Sequence, residues 1–577
     1  MNVMIVAAAA FGLLGAGSRF YGRFISRQVG LDPDRPTPAQ EREDGRDYVP
    51  TRTSVLFAHH FSAIAGAGPI LGPTIAVMYG FLPALLWIAF GAVFIGAVHD
   101  FTALFASLRE GGRSIAEVAR QTMGRAGFGL FCAFLMVMLV LVTGSFLSAT
   151  CTALTSMWPL EKLGLGTEQT LLKTQVSADG MLVGRIGGIA STSVIVITLG
   201  APLMGWLLYR RGIRTLPAYV LAAAVCGFSI WIGLQFPVTL DPKVWAVILS
   251  VYVLLAAGAP VWVILQPRDF INTQILYAGM GLVAAALVSA GLKGVGMSFP
   301  ALSLAEGARS IGALWPMMFV TIACGAISGF HALVAGGTTS KQCRSERDAK
   351  RIGFDAMVLE SALGVMVVLI VGSALASADY QKIVVEQQNV PLGFALATGH
   401  LMNTAFPFIP VALGTVFGIL MLEGFLVTSL DAAVRLNRYV FEELWGFLLK
   451  SPPAFMRYYW FNAGLSVALM WVISTTNAWR SVWLVFGTAN QLLAALTLLV
   501  VSAWLLKRGK RAWFTIAPAL FMLVTTLVSL YLLLGKFISE GKLILVVADV
   551  LLFALAAGMI VVAARSQVFW ARRADTA

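Results

Sequence analysis

Charge is scarce in this chain: Asp, Glu, Lys and Arg make up 12% of its 577 residues, against 58% apolar. Soluble globular chains carry about a quarter charged residues, so a water-soluble globule is excluded. Cysteine is scarce too. The five (Cys132, Cys151, Cys226, Cys324, Cys343) show no metal-ligand spacing, and four fall in or at apolar segments. They read as small packing residues and imply no disulfide framework. Histidine also numbers five, with no His-x-x-x-His or Glu-x-x-His pair to place two ligands on one helix face. Acids are fewer than bases, 28 against 41, for a net charge of +13. The bases lie in short loops between apolar runs, where topology determinants belong, so a nucleic-acid partner is not expected. Neither a low-complexity tail, a soluble enzyme or sensor domain, a metal site nor a cofactor is expected.

What is present is apolar length. With a mean hydropathy of +0.83, the chain reads as an all-α polytopic membrane protein. About 15 spans are expected: near 2–18, 54–79, 82–108, 128–154, 187–209, 215–235, 244–265, 272–291, 312–336, 354–376, 408–430, 459–476, 481–505, 513–534 and 543–564. The first has no basic stretch ahead of it and Arg19 behind it, so it reads as a retained span and not as a cleaved signal. With the N-terminus outside, the inner loops collect 31 of the 41 Lys and Arg. That bias predicts N-out, C-in insertion, since positive residues favour the cytoplasmic side. The longest outer loop, about 155–186, reads as a polar connector.

Residues 54–80 are not written like a plain lipid anchor. His59 and His60 precede a cluster of Gly66, Gly68, Pro69, Gly72 and Pro73. Pro69 and Pro73 cannot donate to the carbonyls of Ala65 and Pro69. Those carbonyls must be buried in protein or line a wet cavity, and broken spans are the usual pointer to a midplane binding site. Close helix packing is the competing explanation of the same small residues. A second Gly/Pro interruption runs over Ala256-Ala257-Gly258-Ala259-Pro260-Val261-Trp262, five spans later and opposite in direction. The spacing predicts two five-helix inverted repeats, at 54–236 and 244–440. Residues 1–53 then form an N-terminal helix and basic loop, and 455–577 a set of peripheral helices. A third irregular stretch runs from Ala323 through Ser328, His331, Thr338 and Thr339; its oxygens suit a hard cation such as Na⁺ or simply helix packing.

Ionisable groups inside spans cost at least ~2.5–3.5 kcal/mol at the bilayer centre, so they tend to line pathways or pair. His59, His60, Asp100 beside His99, and Glu423 lie deep. Glu360 reads as near an inner helix end, where it reaches water. Asp431 and Arg435 have the i,i+4 spacing of an ion pair, suiting a clasp or inner gate. Asp549 reads as peripheral.

Several stretches together carry a resemblance. They are Tyr48-Val-Pro-Thr51, His59-His60-Phe61, Ala63 to Pro69, Gly72-Pro73, Asp100-Phe101 and Pro267-Arg268-Asp269. To these add Thr321 to Ala326, Ser328 to Leu333, Gly337-Thr-Thr339 and Phe486-Gly-Thr-Ala-Asn490-Gln491-Leu-Leu-Ala-Ala495. In order and over roughly residues 30–500, they resemble the carbon starvation protein A (CstA) family. The resemblance implies an inner-membrane secondary transporter of the amino acid–polyamine–organocation type. It is associated with proton-coupled pyruvate uptake and with peptide utilisation under nutrient limitation. Relatives commonly carry glutamine where His99 stands and Gly-Thr where Ala433-Val434 stand. Longer members carry a further N-terminal span.

The resulting expectation is import of a small carboxylate such as pyruvate by proton symport, with di- and tripeptides as the alternative substrate and Na⁺ as the alternative ion. Substrate would meet His60, Gly66, Gly68, Gly258, Ser328 and His331. Coupling would use His59, Asp100 and Glu423, and gating Asp431 and Arg435. A membrane metalloenzyme, a transporter-like sensor and a channel are the other classes weighed, and oligomeric state stays open.

Overall fold

In a computed structural model, residues 1–44, 48–177, 179–260, 262–449, 451–474 and 479–574 are described. Among them, eleven helices are long and apolar enough to cross a membrane, or twelve with the bent pair Thr53–Ile64 and Gly68–Tyr79 counted as one span. The sequence expectation of about 15 is reduced for physical reasons. Pro242–Gly258 and Tyr459–Ser474 are apolar but shorter than 18 residues. The stretch near 312–336 is broken into Leu314–Met318, Phe319–Thr321, Ala323–Ala326 and Phe330–Gly337. One buried helix, Val390–Ala405, lies where a loop was expected. The polar connector near 155–186 folds a small antiparallel sheet of Trp158–Pro159, Leu182–Gly184 and Thr174–Val176, with Leu182–Gly184 in the middle.

The lengths of the helices recur in order. After the first broken helix come Phe81–Arg109 (29 residues) and Ile115–Leu154 (40). Later come Pro242–Gly258 (17) and Leu265–Leu292 (28). After the second broken stretch come Glu346–Ala374 (29), Val411–Leu448 (38), Tyr459–Ser474 (16) and Trp479–Lys507 (29). Phe81–Arg109 and Glu346–Ala374 also share a local defect, a π-turn at Ala92–Gly96 in one and at Lys350–Asp355 in the other. Outside this series stand the Val3–Val29 helix, the hairpin Ile186–Arg210 and Thr215–Gln235, the helix Val390–Ala405 between Glu346–Ala374 and Val411–Leu448, and the last two helices.

Loops that the charge pattern assigns to one side touch one another. Arg109 pairs with Glu346 at 2.5 Å, Arg42 and Tyr48 bond the Gly111 carbonyl, and Lys507 bonds that of Gln121. Thr51 N–H donates to the Gln342 carbonyl at 3.0 Å. At the opposite end, Val3 meets Val295, Ser303 meets Tyr79, Phe299 meets Gly372 and Asn389 meets Ser156. Parity of the crossings is thus consistent along the chain.

Candidate functional site

The first helix of the broken pair ends at Ile64, because Gly66 N–H turns back to the Ile64 carbonyl at 2.7 Å and Pro69 supplies no donor. The chain restarts as Gly68–Ala76 at a 45° bend. Proline costs least in a helix's first turn, where no partner is owed, which is where Pro69 sits. At the far end of that segment, Tyr380 O–H donates to the carbonyls of Thr74 and Ile75 at 2.9 and 3.0 Å. The break is therefore held from both sides.

Its partner is the third irregular stretch, not the Gly258 region. A Cβ on Gly68 would stand 2.5 Å from that of Cys324, and one on Gly72 would stand 2.5 Å from the Thr321 carbonyl oxygen. Only glycine permits this approach, so both glycines bring two backbone breaks face to face. The second break, Ile327–Gly329, is splinted by the buried helix Trp479–Lys507. Asn490 accepts the Phe330 N–H through Oδ1 and the Gly329 N–H through its main-chain carbonyl, each at 3.0 Å. Its Nδ2 donates to Ser328 Oγ at 3.0 Å. Gln491 donates to the Phe319 carbonyl at 2.6 Å. An intramembrane backbone without such partners would lose several kcal/mol per group.

Between the breaks lies a narrow cavity of about 10 Å³, room for about one water molecule. It is lined by Gly66 and Gly68 of the first break, Cys324 and Ser328 of the second, and Phe146, Ser429 and Phe486. Of the residues expected to meet substrate, Gly66, Gly68 and Ser328 are brought together here. His60, His331 and Gly258 do not line it. His60 Nδ1 meets Thr339 Oγ1 at 2.8 Å. Gly258 ends helix Pro242–Gly258 against the ring of Tyr459, and Val261, the next residue but two in that interruption, lies outside the described residues.

His331 instead joins Asp100. Asp100 is nearly inaccessible, and its two oxygens face His99 Nδ1 at 2.7 Å and His331 Nδ1 at 2.6 Å. The other nitrogen of His331 stands 3.3 Å from Glu360 Oε2. Glu360 is fully buried and was missed as a deep residue. Its helix begins at Glu346, a turn or more before the apolar run that sets the apparent boundary. His59 is half-buried, with no partner for Nε2 among the described residues. Glu423 is fully buried, and neither oxygen has a hydrogen-bond partner there.

Asp431 and Arg435 make no direct ion pair among the described residues. Arg435 donates to the carbonyls of Ala259, at 2.9 Å, and Ala256, and Arg438 to that of Ala257 at 3.0 Å. They cap the carbonyl end of Pro242–Gly258, where positive charge is favoured. Asp431 accepts from Tyr252 O–H at 3.1 Å, and Tyr252 accepts from Arg268 at 2.9 Å.

Comparison with known proteins agrees with the motifs. The family described as carbon starvation protein CstA matches residues 2–391 and 374–529. A relative from Bacillus subtilis (strain 168), named peptide transporter CstA, is 31% identical over 91% of this chain and 89% of its own. A relative from Escherichia coli (strain K12), named pyruvate/proton symporter BtsT, is 28% identical over 91% and 81%. Among solved structures, a manganese transporter of Eremococcus coleocola aligns over 92% of this chain and 99% of its own at 10% identity, with a TM-score of 0.48. By its sequence over nearly its whole length, the chain belongs to the carbon starvation protein CstA family.

Proposed function

We propose that the protein is a secondary active transporter of the cytoplasmic membrane that imports a small carboxylate such as pyruvate together with a proton. The observation that carries this reading is the pairing of two broken helices beside a buried acid–histidine cluster. At the first break the helix Gly68–Ala76 starts on the cavity wall, and a helix start attracts negative charge. A carboxylate seated there meets backbone N–H groups and the Ser328 and Ser429 hydroxyls. Protonation of Asp100 or Glu423 offsets the negative charge that enters with it. Aromatic Phe146 and Phe486 close the remaining walls, and the breaks part to seat a substrate, since the space as it stands holds about one water.

The recurrence of helix lengths supports two inverted five-helix repeats. On this reading the first repeat runs from Thr53 to Leu292 with the hairpin Ile186–Gln235 inserted, and the second from Leu314 to Lys507. The boundary then falls near residue 300, where the motif spacing alone had suggested 236–244. The loop charges support an outside N-terminus and a cytoplasmic C-terminus.

A second reading, uptake of di- or tripeptides, is favoured by the name of the Bacillus subtilis relative. Both are tested in proteoliposomes with an imposed proton gradient, with and without a protonophore. Accumulation of labelled pyruvate that collapses with protonophore, and is lost in Asp100→Asn, supports the first reading. Accumulation of labelled dialanine, with pyruvate inert, selects the second. Accumulation driven only by a sodium gradient overturns proton coupling.

A further inference from the structure

Four of the buried acids fall into two contrasting pairs. Asp431 and Asp269 sit among Arg268, Arg435 and Tyr252, so fixed positive charge balances them. Asp100 and Glu360 have no such balance: among the described residues, their only ion-pair partners within 4.0 Å are His99 and His331. Without a guanidinium or ammonium beside them, two carboxyl groups buried this close in a membrane protein are not both ionised, so at least one holds a proton. His331 lies between them with one ring nitrogen toward each.

The helices that carry the two acids are built alike at this point. Asp100 follows the π-turn Ala92–Gly96 by about one turn, and Glu360 follows the π-turn Lys350–Asp355 by about one turn. Such π-turns recur at functional sites because the extra residue re-aims the side chains beyond it. The helices are also pressed together here. A Cβ on Gly353 would lie 2.7 Å from the Phe101 Cα, and one on Gly96 would lie 2.3 Å from the Ala326 carbonyl oxygen. Ala326 and His331 flank the break Ile327–Gly329 on the same stretch.

Resting on the proton-symport reading above, we propose that Glu360 is the second acid of a proton relay, with His331 as the carrier between Asp100 and Glu360. The step balances without a co-reactant. Protonated Asp100 gives its O–H proton to His331 Nδ1, and His331 gives its Nε2 proton to the Glu360 carboxylate. An O–H and an N–H bond break, an N–H and an O–H bond form, and the imidazole stays neutral in the other tautomer. His99 holds the Asp100 carboxylate that remains. The 3.3 Å contact between His331 Nε2 and Glu360 lacks hydrogen-bond alignment in this conformation, so this link is where opening and closing of the transporter acts. The other titratable groups facing the relay are His60 beside His331, and Cys324, which lies within electrostatic reach of both acids and also lines the cavity.

The test compares wild type, Glu360→Gln and Glu423→Gln in proteoliposomes, using whichever of pyruvate or dialanine the wild type accumulates. Two rates are read: uphill accumulation under a proton gradient, and exchange of labelled for unlabelled substrate without one. A pH dye inside the vesicles reports substrate-evoked proton entry. Glu360→Gln is expected to lose accumulation and the proton signal by about tenfold or more, the usual size of coupling between two bound ligands. Exchange stays near the wild-type rate. A wild-type proton signal in Glu360→Gln overturns the proposal, as does loss of exchange in a variant that still unfolds cooperatively at the wild-type temperature. Uncoupling by Glu423→Gln with Glu360→Gln unaffected overturns it too. If Glu360→Gln does not fold, His331→Gln, which cannot pass a proton between the acids, must give the same uncoupled exchange. Failure of the wild type to move either substrate sinks the transport reading itself, and is distinct from all of these.

Discussion

Asn490 and Phe330, 160 residues apart, are joined by a hydrogen bond that holds a broken helix open: the Phe330 N–H donates to Asn490 Oδ1 at 3.0 Å. Replacing Asn490 by Ala removes that acceptor and the donor to Ser328 while leaving the main-chain bond to Gly329. Leaving a buried group unpaired costs about 1–3 kcal/mol, so Asn490→Ala is expected to lower the unfolding midpoint in detergent and abolish uptake. Asn490→Asp keeps the acceptor and, as the neutral acid that such a buried site favours, replaces the amide's two donors by one O–H. Its midpoint is expected between the other two, and equal midpoints for Ala and wild type would remove the splint from the account.

The approach of the two breaks can be tested from the glycine side. Gly68→Ala puts a Cβ on top of the Cys324 side chain, and Cys324→Gly vacates that space. The double variant is expected to recover uptake lost in Gly68→Ala, with a coupling of about 0.5–3 kcal/mol between contacting sites. Gly72→Ala meets the Thr321 backbone carbonyl instead, and no change of side chain in the second stretch is expected to rescue it. Independent, additive losses for Gly68 and Cys324 would show that these residues do not meet.

Much of this was legible because it is local. The Gly66–Pro73 cluster announces a break wherever it sits, since missing donors and missing Cβ atoms act within one or two turns. Which break pairs with which is not local. Gly258–Pro260 and Ile327–Gly329 interrupt apolar runs equally well, and only the tertiary packing selects Cys324 over Gly258 as the neighbour of Gly68. Glu360 was misplaced for a different reason: Arg347, Lys350 and Arg351 lie inside its helix, and their charge masks the start. Val390–Ala405 was hidden by His400, Asn403 and Thr404, whose polarity reads as loop. Asp431 and Arg435 do stand four residues apart in one helix, Val411–Leu448, yet the guanidinium is taken by carbonyls of another helix.

That last arrangement separates a cap from a salt bridge. A planar guanidinium holds its N–H donors in a fixed fork aimed at both carbonyls, whereas an ammonium is a point charge on a flexible stem that must be ordered to make the same contacts. Arg435→Lys is therefore expected to destabilise the protein by about 1–3 kcal/mol, close to Arg435→Ala, in chemical unfolding followed by tryptophan fluorescence. A purely electrostatic pairing with Asp431 predicts that lysine is tolerated. Wild-type stability in Arg435→Lys would restore the ion-pair reading.

All five cysteines are buried and unpaired, but only Cys324 lines the cavity among the described residues. Cys343, in the loop before Glu346, is a poor nucleophile at neutral pH because burial pushes its thiol up to about 12, and the thiolate is the reactive form. The cavity as it stands, about 10 Å³, does not admit a reagent larger than water, so modification of Cys324 requires the breaks to part. A small permeant maleimide is expected to inactivate uptake slowly at rest and faster during turnover, with the label found on Cys324 by peptide mass. Saturating substrate without a gradient is expected to protect, since it occupies the space the reagent needs. Cys324→Ser is expected to transport and to resist the reagent. Inactivation of that variant at the wild-type rate would place the reactive thiol elsewhere and detach Cys324 from the substrate path.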